Sequence, residues 1–198
     1  MAFDPRMSDE PDAALMTRAA QGDASAAAEL YRRHSTAVYR FVRTSTGSES
    51  EAADVLQETF MTVLERRSGF DPARGSCTAY LCGVARHLVC RRFDQRCEPW
   101  PEIEELAEES SAIPALPPLH DQLERAQALQ RLQAAIRALP PHYRDVLILI
   151  ELQEMSYADA ASIVGIELGT VRSRLARARA KLAELLGASI ANTDGQAK

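Results

Sequence analysis

Five basic residues on one predicted helix, placed directly behind a short helix and a glycine turn, constrain this chain most. Residues 155–182 read MSYADAASIVGIELGTVRSRLARARAKL. Ser156 suits an N-cap, and Asp159 three residues on suits a capping-box partner. A short helix over 157–164 then ends at Gly165, which adopts a left-handed conformation without steric cost. Residues 167–170 restart the chain into a longer helix. Two helices about a tight turn form a helix-turn-helix, whose second helix enters the DNA major groove. At about 3.6 residues per turn, Val171, Leu175, Ala178 and Leu182 fall on one stripe, with Leu185 and Leu186 at its edges. That stripe is the predicted buried seam. Ser173 and Arg177 lie opposite it, beside Thr170, and are the candidates for base edges. Arg172 and Arg179 on one flank, and Arg174 and Lys181 on the other, are the candidates for phosphates.

A net charge of −5 conflicts with DNA binding until it is divided. Residues 98–124 hold eight acids and no Lys or Arg, leaving 20 acids against 23 bases in the rest of the chain. Residues 99–118 also carry five prolines, so this stretch reads as an extended acidic linker. No apolar run is long enough to span a bilayer, which argues against membrane insertion. The first residues, MAFDPRMSDEPDAA, lack a signal-peptide apolar core, so the expected location is the cytoplasm. The four cysteines (Cys77, Cys82, Cys90, Cys97) contain no C-x-x-C pair and are expected to be reduced, partly buried thiols. A redox role for Cys90 and Cys97, which share a helical face, is the sharper alternative. His34, His87, His120 and His142 show no metal-ligand spacing, and no phosphate loop or nucleophile motif occurs. Neither a metal, nor a cofactor, nor an enzymatic activity is expected.

The pattern elsewhere is helical throughout. Helices are expected over 11–20 and over 24–44, the latter with an apolar stripe of Ala27, Leu30, Tyr31, Val38, Phe41 and Val42. Ser48 and Glu51 open a third, to residue 67, with Ala53, Leu56, Phe60, Val63 and Leu64 inward. FDPARG at 70–75 is a loop. Ser76 caps a fourth helix to about residue 96, with Tyr80, Leu81, Val84, Ala85 and Leu88 inward. On its far side lie Arg86 and Phe93, with Cys82 and Cys90. His87, Arg91, Arg92 and Arg96 surround the seam. A basic helix with an exposed aromatic suits single-stranded nucleic acid, because bases stack on rings while cations follow phosphates. A second lobe starts near residue 121, with Leu123, Ala126, Leu129, Leu132 and Ile136 at helical spacing. Pro140 and Pro141 begin another helix with Val146, Leu147, Leu149 and Ile150 inward. Gly187 ends the fold, and 188–198 is read as a frayed tail. The expected fold is therefore all-α: two small helical domains (13–97 and 121–187) joined by a flexible acidic linker (98–120), the second a helix-turn-helix.

Three segments in this order resemble the extracytoplasmic-function (ECF) sigma factors of the bacterial sigma-seventy superfamily. AADVLQETFMTVLE at 52–65 is similar to the family's core-polymerase-binding helix. FDPARGSCTAYLCGVARHLVCRRFDQR at 70–96 is similar to its minus-ten-reading segment, and 138–182 to its minus-thirty-five-reading domain. The family usually has Trp where Tyr80 stands and Asn where His87 stands, and often Glu-Gly where Glu154 and Met155 stand. The resemblance implies a promoter-specificity factor for RNA polymerase, responsive to a stress or signal. Core polymerase would be bound through Asp54, Leu56, Gln57, Glu58 and Phe60. Minus-ten DNA would be bound through Arg74, Ser76, Tyr80, Arg86, His87, Arg91 and Arg92. Minus-thirty-five DNA would be bound through Thr170, Arg172, Ser173, Arg174, Arg177, Arg179 and Lys181. It also implies an anti-sigma factor as partner, and a linker that follows the polymerase's cationic RNA path. The rival reading is a stand-alone dimeric helix-turn-helix regulator, which would use only the second lobe.

Overall fold

The computed structural model describes residues 10–65, 70–92 and 122–194. All secondary structure among them is helical: α1 (Asp12–Ala20), α2 (Ala24–Thr46), α3 (Glu49–Glu65), α4 (Cys77–Arg92), α5 (Gln122–Ala138), α6 (Pro141–Leu147), α7 (Tyr157–Val164) and α8 (Leu168–Asp194). The acidic linker, Phe93, Arg96, Cys97 and His120 lie outside the described residues.

Helices α1 to α4 form the first lobe. Asp23 caps α2, its carboxylate accepting from the backbone N–H groups of Ser25 and Ala26, and Gly47 ends it at φ +82°. Ser48 opens α3, accepting from the Glu51 N–H at 3.3 Å. On α2 the buried side is Ala26, Leu30, Val38, Phe41 and Val42. Tyr31, expected in that stripe, is 46% exposed and rests its ring on Phe60 with centroids 4.9 Å apart. On α3, Leu56, Phe60 and Val63 are buried as expected, Leu64 is partly buried and Ala53 is exposed, with Ala52, Val55 and Thr59 widening the buried face.

Helices α5 to α8 form the second lobe. Between α6 and α7 the chain widens into a π-helical turn over Ile148–Leu152, closed by the Gln153 N–H donating to the Ile148 carbonyl at 3.0 Å. This turn keeps Ile148 and Leu149 fully buried while the chain changes direction. Glu154 follows at φ +53°, the one non-glycine residue among those described with positive φ. A left-handed L-residue costs roughly 1–2 kcal/mol. Glu154→Gly is therefore expected to raise the thermal midpoint, by about 1 kcal/mol of stability. On α5, Ile136 is buried but Leu129 is 54% exposed, so its expected apolar stripe packs only toward its carboxyl end. Helix α8 runs through Gly187 to Asp194, past the expected stop.

The two lobes pack directly on one another, and one continuous cluster of buried apolar side chains runs through both. Helix α4 lies between α2 and α3 on one side and α7 on the other. Cys82 and Cys90, expected to be partly buried, are both buried on this twice-covered helix. Burial pushes the Cys82 thiol up to about 12. Cys77 and Cys82 are free thiols, whereas Cys90 is disulfide-bonded, against the expectation of a reduced thiol.

Candidate nucleic-acid interface

Local chemistry in the 70–76 loop shapes a cleft. The Asp71 carboxylate accepts the Ala73 N–H at 3.0 Å and so caps a single 3-10 turn, Pro72–Arg74. Gly75 then takes φ +144°, a region L-residues avoid, and turns the chain into α4. The Ser76 hydroxyl caps that helix by accepting the Ala79 N–H at 3.1 Å. Between this loop, the end of α3 and one face of α4 lies a cleft of about 600 Å³. Phe70 and Tyr80 stand on its wall with ring centroids 5.8 Å apart. Arg74, Ser76, Tyr80, His87 and Arg91 all line it. The structure thus gathers five of the seven residues expected at minus-ten DNA around one space. The two rings are tilted by 48°, and the lining carries the acids Glu58, Glu65 and Asp71 beside Arg74, His87 and Arg91. Aromatic rings beside cations can stack an unpaired base and hold its phosphates.

The other two lie elsewhere. Arg92 donates to Glu58 at 2.6 Å, and Arg91 donates to the second oxygen of the same carboxylate at 2.7 Å. Arg86 points away from the cleft into the lobe interface. Its Nε donates to Asp145 at 2.6 Å, both side chains being largely buried. The sequence placed Arg86 on an exposed face because nothing in the first lobe alone covers it.

The seam of α8 is as expected: Val171, Leu175, Ala178 and Leu182 are all fully buried. Gly165 takes φ +74°, and the Asp159 N–H donates to the Ser156 hydroxyl at 3.0 Å. Of the seven residues expected at minus-thirty-five DNA, Arg172 and Lys181 are exposed, and Thr170, Ser173, Arg177 and Arg179 are partly exposed. Ser173 donates back to the Thr170 carbonyl at 3.1 Å. Arg179 is engaged by Glu151 of the π-helical turn, and Lys181 pairs with Glu184 at 3.0 Å. Arg174 departs most from the expected phosphate-facing position: it is 6% exposed. Burial and the neighbouring Arg86 lower its pKa, with Tyr143 and Asp145 acting in the opposite direction.

On α3, Asp54 and Gln57 are exposed and Glu58 is half-buried. Leu56 and Phe60 are in the core, at 7% exposure each, so they shape the helix from inside. Met61, not singled out in the sequence, is 52% exposed and lies on the α3 face of Asp54 and Gln57 at helical spacing. With Tyr31 it gives this acidic surface an apolar component.

The interface between the lobes carries residues that sequence reasoning missed. Asp145 faces Arg86, with Arg144 and His142 also acting on it electrostatically. Burial pushes its carboxyl up, and Arg86 and Arg144 hold it back. Arg144 crosses to the first lobe, donating to the Ser45 carbonyl at 2.9 Å. Asp159 divides its carboxylate. One oxygen accepts the Ser156 hydroxyl at 2.9 Å, and the other accepts the Ser76 N–H of the first lobe at 3.3 Å. Ser162 and Ile163 of α7 close one side of the cleft. Arg86, the residue that pairs with Asp145, is 59 positions away in sequence, so only the folded chain reveals this pair.

Two family models match this chain: Sigma-70 region 2 over residues 30–97 and Sigma-70, region 4 over residues 129–182. The ECF RNA polymerase sigma factor SigE of Mycolicibacterium smegmatis is 32% identical over 159 residues. That match covers 80% of this chain and 60% of the relative, so the chain spans less than two thirds of SigE. The RNA polymerase sigma factor NccH of Alcaligenes xylosoxydans xylosoxydans is 32% identical over 182 residues, covering 90% of this chain and 96% of the relative. Among solved structures, CnrH in complex with the cytosolic domain of CnrY superposes with a TM-score of 0.66 at 27% identity. It covers 90% of this chain and 99% of CnrH.

Proposed function

Because the chain belongs to the ECF sigma factors of RNA polymerase, we propose that it lends promoter specificity to core polymerase in the cytoplasm and contributes no catalysis of its own. One observation carries this reading. A single chain holds both a cleft with an aromatic wall and Arg74, His87 and Arg91 in its lining, and a helix-turn-helix with a basic second helix. A stand-alone dimeric regulator has no use for the cleft.

Asp54, Gln57 and Met61, with Tyr31 beside them, form the surface for the polymerase clamp, where acids complement a basic partner. The cleft takes an extruded base of the minus-ten element, and the extrusion costs a few kcal/mol that stacking on Tyr80 and Phe70 offsets. Helix α8 reads the minus-thirty-five duplex.

The packed arrangement is the resting form in this reading. Arg86 and Arg174 are buried, Arg86 against Asp145 of the other lobe, and α7 closes one side of the cleft, so full promoter reading requires the lobes to part. The cytosolic domain of CnrY on CnrH is the model for a protein partner, an anti-sigma factor, that keeps them together until a stress or signal removes it. Run-off transcription with core polymerase over a promoter library tests the function. The chain should create defined start sites, and unchanged initiation in its presence would overturn the reading.

Two substitutions separate the roles on α8. Arg177→Ala should reduce discrimination among minus-thirty-five variants by about 1–3 kcal/mol, as for loss of a bidentate base contact. Arg172→Ala should weaken binding evenly across sequences and reduce the salt slope by about 1. Competition binding over a salt series reads both, and a sequence-specific loss at Arg172 would mean that the helix is rotated in the groove. Arg179 is no longer a clean phosphate probe, because its removal also frees Glu151.

A further inference from the structure

Three residues far apart in sequence meet inside the first lobe. Asp12 opens α1, His34 lies mid-way along α2, and Cys77 begins α4. One carboxylate oxygen, one imidazole nitrogen and the thiol sulfur lie within 4.8 Å of one another. His34 is 7% exposed and Cys77 3%. We propose that Asp12, His34 and Cys77 form a binding site for a thiophilic divalent cation, with Zn²⁺ as the committed occupant.

The orientation of His34 is the strongest support. Its Nδ1 is 2.9 Å from the Thr78 hydroxyl, which fixes the ring and leaves Nε2 turned toward Asp12. That Nε2 is buried and has no hydrogen-bond partner. Asp12 Oδ2 is 3.1 Å away but out of hydrogen-bonding line, so proximity does not satisfy the nitrogen. A buried imidazole held by a hydroxyl on one nitrogen and unsatisfied on the other has the arrangement of a metal ligand with its outer-shell partner. Asp12 is also prepared. Its Oδ1 receives Arg33 at 2.7 Å, which leaves Oδ2 for the cation. Glu29 balances Arg33 in turn, at 2.8 Å.

The donor set selects the metal. One thiolate, one imidazole and one carboxylate suit zinc, with a fourth position left to solvent on the partly exposed Asp12 side. Tetrahedral zinc needs ligand atoms about 3.3–3.6 Å apart, so the shell must contract by roughly 1 Å. On binding, the Cys77 thiol releases its proton to solvent, and neutral His34 offers the Nε2 lone pair. The thiolate and carboxylate then neutralise the dication. Ligation would tie α1 to α2 and fix the first turn of α4, the turn that follows Ser76 at the cleft. No spacing motif announces the site, because each ligand comes from a different helix.

The test uses the reduced full chain with Co²⁺ as a spectroscopic probe and Zn²⁺ in competition with a chromophoric chelator. One equivalent of Co²⁺ should give tetrahedral d–d absorption and a thiolate-to-cobalt charge-transfer band, both abolished by equimolar Zn²⁺. Cys77→Ser should lose the charge-transfer band, whereas Cys82→Ser, a buried thiol outside the cluster, should keep it. Thr78→Val should weaken Zn²⁺ about 10- to 100-fold, and Thr78→Ser should restore it. Circular dichroism checks that each variant is folded. If Cys77→Ser does not fold, His34→Gln and Thr78→Val carry the comparison. The proposal is overturned if the wild-type chain shows no charge-transfer band, or if that band survives in a folded Cys77→Ser or His34→Gln chain.

Discussion

Asp145→Ala is expected to separate the two lobes while leaving each folded. The Asp145 carboxylate is 8% exposed and receives Arg86 at 2.6 Å across the interface. Arg144 and His142 also act on it. Removing one partner of a buried pair costs about 3–5 kcal/mol, because the remaining charge is left uncompensated in a poorly solvated place. Here that remaining charge is Arg86, with the buried Arg174 adding repulsion. Parting the lobes returns Arg86 and Arg174 to water, so the molecule relieves the strain by opening. The rest of the closure consists of two polar contacts, Ser76 to Asp159 at 3.3 Å and Arg144 to the Ser45 carbonyl, and the apolar packing shared by the lobes. Spectroscopic labels at the exposed Ser50 and Glu184 should move apart, and the affinity of the free chain for duplex DNA should rise. Asp145→Asn, which keeps the shape and one acceptor, should open it less. An unchanged label distance in Asp145→Ala would show that apolar packing alone holds the lobes. Because burial pushes the Asp145 carboxyl up, the intact pair contributes less than its short distance implies.

The second large effect is expected at Leu175, which is 1% exposed at the centre of the α8 seam. Leu175→Ala should cost about 2–5 kcal/mol, the range for a leucine truncation that leaves a cavity. For a lobe of this size that is a large part of its total stability, given roughly 0.05–0.15 kcal/mol per residue. Hydrogen exchange should show α6 to α8 losing protection before α2 and α3. Binding to minus-thirty-five duplex should fall with it, while core-polymerase affinity through α3 stays near wild type. Loss of both together would mean that the lobes unfold as a single unit.

What could be read in the sequence follows from which forces are local. The α8 seam, the Ser156 and Ser76 caps, and the Gly165 stop depend on periodicity and on single-residue backbone chemistry. Each was legible without the fold. The cleft was legible in part, since Arg74, Ser76, Tyr80, His87 and Arg91 are close in sequence as well as in space. Arg86 and Arg174 are buried against the sequence reading, because Arg86 meets Asp145 of the other lobe and Arg174 lies within reach of both, and no periodicity within one helix carries that contact. Tyr31 was assigned to the core from its hydrophobicity, although its hydroxyl and large ring are compatible with a half-wet edge. Gly187 was taken as a stop because glycine is a frequent terminator, yet it occurs inside α8. The Asp12, His34 and Cys77 cluster is formed by tertiary packing of three helices, so spacing rules had nothing to detect.

The closed interface places three guanidinium groups, Arg86, Arg144 and Arg174, in the electrostatic reach of one carboxylate. A phosphate backbone competes with that carboxylate for the same cations. Shape change and promoter capture then become one linked equilibrium. If only one molecule in about a hundred is open, the observed dissociation constant is about a hundredfold weaker than that of the open form. Internal closure of this kind would set a threshold, below which stray genomic DNA fails to engage a factor that no polymerase has yet opened.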